Sequence, residues 1–232
     1  MDIFPDHRKF LAFSWHFGTN CVRYFQFTVL SFGLSSAPFI FTKLIKPLEA
    51  FWRLQGIPMS ILFFDDGVGA GSSRDIAKSN GSVVRSSLAQ CRFLVIQEKS
   101  DWNPKNIFSW IGFIINTRSG QIYATDARIE SLCCDLNQLC ADFEVSASIH
   151  VIRLVPIVGK IISLSPCCGN VTQIIPRYFH VIVNSRDSWH SVVFIQDQDK
   201  KELLFWRDNL RNLNGAGGLR DVLYVSPIMR TC

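Results

Sequence analysis

Two adjacent carboxylates, Asp65 and Asp66, close the apolar run Ile61-Leu62-Phe63-Phe64, and Gly67-Val68 follows. The run has the length of a buried strand, and glycine is a turn residue, so the sequence predicts a tight hairpin with the acids at its tip. Like charges side by side repel, and burying either without a partner is costly. A cation between them removes the conflict. Mg²⁺ is the natural choice, since it binds through one or two carboxylates together with substrate phosphates. The pair therefore points to phosphoryl or nucleotidyl transfer.

The 232 residues suffice for a real core and for one or two domains. With 48% hydrophobic and 19% charged residues, disordered and coiled-coil classes are excluded. Residues 1–120 hold 13 Lys/Arg against 8 Asp/Glu, and residues 121–232 hold 11 of each. A mildly basic front half fits a polyanionic partner, although charge alone favours ordinary surface charge. None of the eight cysteines forms a CxxC pair, and the doublets Cys133-Cys134 and Cys167-Cys168 suit neither disulfides nor zinc. Buried free thiols in a reducing compartment are expected. No stretch nears the ~18 apolar residues of a membrane span. Met1 is followed by Asp2, Pro5 and Asp6 rather than by a basic apolar leader. The expectation is an intracellular chain, cytoplasmic or nuclear, neither secreted nor membrane-bound.

Along the chain, Phe10 to Trp15 and the alternating run Arg23 to Leu30 predict a hairpin about Gly18-Thr19-Asn20. Ser36 and Pro38 signal a helix start, with Ile40, Leu44, Leu48 and Phe51 as its stripe and Pro47 as a kink. After the acid hairpin, Ser72-Ser73 opens a helix with Ile76, Val83, Val84 and Leu88 facing inward. Phe93–Ile96 and Phe108–Ile115 read as strands, the second interrupted by Gly112, and Gly120 turns the chain toward Ile122-Tyr123. Beyond Asp126 helices follow: Ile129, Leu132, Leu136 and Leu139 form one stripe, Ile149, Ile152, Val155 and Val158 another, and a third helix spans about 199–212 around Leu203, Leu204 and Trp206. Asn214 to Gly218 reads as a linker. Interleaved helices and antiparallel strands predict an α+β class, a sheet with helices on one face.

Four segments, in order and spacing, resemble the palm motifs of retroelement reverse transcriptases: Leu30 to Phe41, Phe64-Asp65-Asp66, Glu98-Lys99-Ser100 and Trp110-Ile111-Gly112-Phe113. Phe10 to Trp15 and Ser163 to Gly169 are most similar to the tyrosine-recombinase (DIRS-like) group, related to LTR retroelements. The resemblance extends to about Leu213. It implies a reverse-transcriptase palm over 1–125, a helical thumb and connection over 126–213, and a linker with the opening of a ribonuclease H-like domain over 214–232. The implied activity is RNA-directed DNA polymerase, with an RNA or DNA template–primer and dNTPs as partners, Mg²⁺ or Mn²⁺ as cofactor, and other retroelement proteins as possible companions. Asp65 and Asp66 would hold metal, and two metals would clamp the attacking 3′-oxygen and the leaving pyrophosphate. Lys99 would protonate pyrophosphate or stabilise its charge. Phe32, Gly33, Pro38 and Phe63 would line the nucleotide and template pocket, Gly33 by admitting close backbone approach. Trp110, Gly112 and Phe113 would grip the primer end.

The chain also departs from that pattern. The family's third metal-binding carboxylate would lie before Met1, and Asp2 and Asp6 belong to the loop after it. Asp221 to Tyr224 resembles the first ribonuclease H strand, but the acid-bearing continuation is replaced by Val225 to Cys232. Two carboxylates without the third place metal poorly, so little activity is expected from this chain alone. The alternative expectation is a non-catalytic, nucleic-acid-binding remnant of a retroelement.

Overall fold

The computed structural model describes residues 2–18, 21–31, 33–57, 60–63, 66–146, 148–174, 176–218 and 224–230, the side chains of 60, 61 and 224–230 excepted. The chain divides into two compact units, Met1–Gly56 and Ile57–Cys232.

In the first unit a 3-10 turn, Pro5–Leu11, leads into β1 (Ala12–His16), which pairs antiparallel with β2 (Val22–Gln26). The predicted hairpin forms, although Phe10 and Leu11 belong to the turn. Asp2 bridges to Val29, and the Ile3 amide donates to the Thr28 carbonyl at 2.8 Å. α1 (Ala37–Leu54) follows with Pro38 in its first turn. Ser36 takes the N-cap position in helical conformation and its side chain caps nothing, contrary to the serine-cap expectation. Pro47 does not interrupt the helix. Pro47 and Lys43, four residues before it, are both exposed, so the carbonyl that loses its amide partner faces water rather than the core. The buried stripe is Ile45, Leu48 and Trp52, whereas the predicted Leu44 and Phe51 are exposed. The helix is apolar on two sides, so the predicted stripe shares Leu48 with the buried one but misses Ile45 and Trp52.

The second unit begins with β3 (Ser60–Phe63) and β4 (Asp66–Gly71), then α2 (Arg74–Gln90). Ser73 caps α2, its hydroxyl accepting from the Ile76 amide at 3.2 Å. The inner face of α2 is Ala77, Gly81, Val84, Ser87 and Leu88, and Ile76 points outward. Small residues face inward because the helix lies on the glycine-rich strand β4. A Cβ on Gly71 would stand 2.6 Å from the Ala77 nitrogen.

No strand forms over 93–96, where only Val95 makes an isolated bridge. Instead α2 ends in a Schellman cap: Arg92 adopts φ +59°, its amide bonds the Ala89 carbonyl, and the Phe93 amide bonds that of Leu88. The 3-10 turn Gln97–Lys99 precedes β5 (Ile107–Trp110), β6 (Phe113–Asn116) and β7 (Gln121–Ala124), an antiparallel meander.

The helical part comprises α3 (Asp126–Val145), α4 (Val151–Ser163), the short α5 (Ser165–Cys168) and α6 (Val171–Ile174), α7 (Arg177–Asn184) and α8 (Asp197–Leu213). A two-stranded ribbon of β8 (Ser148–His150) and β9 (Val192–Phe194) is set among them. The α3 stripe of Ile129, Leu132, Leu136 and Leu139 is buried as predicted. α4 starts later than expected because 148–150 is drawn into β8. Its buried stripe is therefore Val151, Leu154, Ile157, Val158 and Ile161, and Ile152 is exposed. In α8, Leu203 and Trp206 are buried and Leu204 is exposed.

The glycine run at 214–218 is not a free linker. The Asn214 side chain donates to the Ala124 carbonyl and accepts from its amide (3.2 and 2.7 Å), and the Gly215 and Gly217 amides both donate to the Cys167 carbonyl. β10 (Tyr224–Arg230) pairs with β4, giving a sheet of order β10-β4-β3. The class is thus mixed α and β, with small antiparallel sheets of two or three strands among the described residues. The seven described cysteines are free thiols, of which only Cys167 and Cys168 are buried. No described helix is long and apolar enough to cross a membrane.

Candidate functional site

β3 and β4 pair from Ser60↔Gly69 to Phe63↔Asp66, which leaves Phe64 and Asp65 as the connection. Both lie outside the described residues, as does Phe32. The sequence reading placed Asp66 and Gly67 in the turn; instead they begin strand β4, opposite Phe63 and Leu62. Gly67 is buried and lacks a positive φ, so it serves as a strand residue of small size. Asp66 is half-buried at the first position of β4, between Phe63 of β3 and Arg230 of β10 in the sheet register, and the Phe63 side chain is exposed.

On β4, the buried Val68 and Ala70 pack against Phe108 and Trp110 of β5. The structure thereby brings together two predicted elements, the acid hairpin and the Trp110 hairpin. The latter is tighter than a strand interrupted by glycine. Trp110 pairs with Phe113, and Ile111 and Gly112 form a two-residue turn with φ +48° and +74°. Positive φ at both central positions is the primed turn that matches strand twist. A β-branched residue there is strained, and such strain persists only where the surroundings enforce it.

The enforcing groups come from the start of α3. The Thr125 amide donates to the Gly112 carbonyl at 3.4 Å. The Arg128 guanidinium lies 4.5 Å from the centroid of the Phe113 ring and donates to the Ser163 hydroxyl at 2.8 Å. A Cβ on Gly112 would come within 3.3 Å of that guanidinium. Sequence reading missed Arg128, although one signal was available. A helix N-terminus disfavours cations, so an arginine in the first turn of α3 needed another partner.

Lys99 is exposed at the end of its 3-10 turn, which is tied to α2 by Arg85 donating to the Gln97 side chain at 2.9 Å. In the first unit, Gly33 has φ +88° with no heavy atom within 4 Å of a built Cβ, so the backbone conformation, not crowding within the chain, requires glycine there. Pro38 is exposed in the first turn of α1.

Carboxylate oxygens are the donors that a hard divalent cation takes, and the described member of the pair, Asp66, sits at a strand end beside the two-residue connection. Among the described residues no group of three or more His, Cys, Asp or Glu side chains is placed to hold a metal. The chain matches no protein-family model. A search of curated proteins returns no significant match.

Proposed function

We propose that the chain is the palm and thumb region of a retrotransposon reverse transcriptase, an RNA-directed DNA polymerase adding dNTPs to a primer 3′-hydroxyl. The observation that carries this reading is the seating of the acid hairpin on the Trp110 hairpin through Val68, Ala70, Phe108 and Trp110. A polymerase must hold a primer terminus at a fixed distance from its carboxylates, because misplacement by about 1 Å can cost 10²-fold in rate. A strained turn braced from α3 and packed on the acid-bearing strand meets that need.

In this reading Asp65 and Asp66 hold Mg²⁺, which supplies charge stabilisation of the in-line phosphoryl transition state. Trp110, Gly112 and Phe113 position the primer strand, and Arg128 fixes their turn. Lys99, exposed and cationic, offers a proton or a charge to the departing pyrophosphate. Gly33, Phe32, Pro38 and Phe63 serve template and incoming nucleotide.

The test is Mn²⁺ binding, read by water-proton relaxation, together with primer extension on poly(rA)·oligo(dT). Binding is expected in the native chain and in Lys99→Ala, and is expected to be lost in the Asp65→Asn/Asp66→Asn double variant. Extension is expected to be slow with these two acids as ligands, and whatever product forms should vanish in Asp65→Asn. Mn²⁺ binding unchanged in the double variant would sink the proposal.

A further inference from the structure

Cys167 and Cys168 are neighbours on the short helix α5, and both are buried free thiols. Successive side chains on a helix diverge by about 100°. These two converge instead, with their Sγ atoms 3.7 Å apart. The Cys167 thiol also donates to the Leu164 carbonyl at 3.1 Å. The Cys168 thiol beside it holds Cys167 below the usual thiol range, helped by the Ala124 amide and the Arg128 charge and opposed by burial. Cys168 is pushed up by the same contact and by burial. One sulfur is thus suited to attack an oxidant and the other to follow.

The peptide between these cysteines holds the strap 214–218 in place. Its carbonyl, that of Cys167, accepts from the Gly215 amide at 3.0 Å and from the Gly217 amide at 2.7 Å. Its N–H, that of Cys168, donates to the Leu164 carbonyl at 2.9 Å. The strap lies directly on α5, since a Cβ on Gly217 would stand 2.5 Å from the Pro166 carbonyl oxygen. A bond between the two sulfurs closes an eight-membered ring that contains this same peptide. The sulfurs must then approach to about 2.05 Å. Neighbouring Cα atoms are only about 3.8 Å apart, against the roughly 5.5–6 Å that a disulfide prefers. The strain falls on the torsions beside the ring peptide, and turning that peptide takes its carbonyl away from both glycine amides.

We propose that Cys167 and Cys168 are a peroxide-sensitive pair that closes into a disulfide and releases the 214–218 strap from α5. The Cys167 thiolate attacks hydrogen peroxide, breaking the O–O bond and giving a sulfenic acid and hydroxide, which takes up the Cys167 proton as water. The Cys168 thiol attacks that sulfur, forming the S–S bond and expelling the sulfenic oxygen, with the Cys168 proton, as a second water. A ring so strained is readily reopened by thiols. Neither the acid hairpin nor a metal takes part, so the outcome is independent of the Mn²⁺ result for Asp65 and Asp66.

The experiment treats the full chain with excess hydrogen peroxide. Mass spectrometry follows the tryptic peptide 161–177, whose only cysteines are these two. It is expected to lose about two mass units, one hydrogen from each thiol. Hydrogen exchange, read by NMR at the Gly215 and Gly217 amides, should quicken about tenfold as their acceptor turns away. Dithiothreitol should restore both the mass and the slow exchange, a readout that needs no variant. Cys168→Ser should abolish both responses, and Cys134→Ser, at an exposed thiol of α3, should leave them intact. An unchanged peptide, or one that only gains oxygen, would overturn the proposal. So would a disulfide that leaves the Gly215 and Gly217 exchange as it was, or a response that persists in Cys168→Ser.

Discussion

Replacing Glu202 with glutamine is expected to stabilise the chain by about 3 kcal/mol at pH 8 and to change little near pH 4.5. Glu202 is buried on α8, where one carboxylate oxygen accepts from the Tyr178 amide at 3.0 Å and the other has no hydrogen-bond partner among the described residues. Burial pushes its pKa up from 4.5 to about 7; the amides of Tyr178 and Phe179, at the start of α7, pull it down, and the Asp199 carboxylate adds to the rise. The folded chain therefore holds a proton on this group more tightly than the unfolded chain does. Between about pH 4.5 and 7 the folded state binds more protons, so stability falls as pH rises, and above that window the full penalty of a buried carboxylate is present. Glutamine keeps an acceptor for the Tyr178 amide and cannot ionise. Urea denaturation at a series of pH values checks this. Parallel stability curves for the native chain and Glu202→Gln would show that Glu202 does not titrate in that window.

The second large effect is at Trp206. Its side chain is fully buried between helices, edge-on to Phe205, and its indole N–H has no hydrogen-bond partner among the described residues. Trp206→Ala should cost about 3–5 kcal/mol, as large-to-small changes in a packed core do. Trp206→Phe should cost much less, because the smaller ring also removes a buried donor whose lack of a partner is worth about 1–3 kcal/mol. Far-UV circular dichroism under urea separates the two. If phenylalanine proves as damaging as alanine, relief of an unpaired indole N–H does not contribute to the difference.

What the sequence made legible follows from how local each signal is. The β1–β2 hairpin, the Ser73 cap and the α3 stripe each depend on neighbours within a few residues, and each was readable. The inner face of α2 was readable only in part: Val84 and Leu88 are buried as expected, whereas Ala77 and Gly81 face inward only on account of the glycine strand beneath them. The Schellman cap with Arg92 was hidden because glycine is the usual residue at that position. Within the candidate site, the acid pair announced itself through charge, and the Trp110 segment through its motif. The brace that joins Arg128 to Phe113 and Ser163 spans elements far apart in sequence, and only the fold brings them together.

The paired bonds between Asn214 and Ala124 have a topological consequence. The chain leaves the meander after residue 124 and returns to the same spot ninety residues later in sequence. The helices between these points are thus inserted through two adjoining junctions, the arrangement in which whole domains are most readily exchanged between scaffolds. Loops elsewhere on that helical part can lengthen or shorten without parting the junctions, whereas losing the Asn214 amide removes both of its bonds to Ala124 and leaves the return held by the Gln121–Gly218 bridge and by the Gly215 and Gly217 amides on the Cys167 carbonyl.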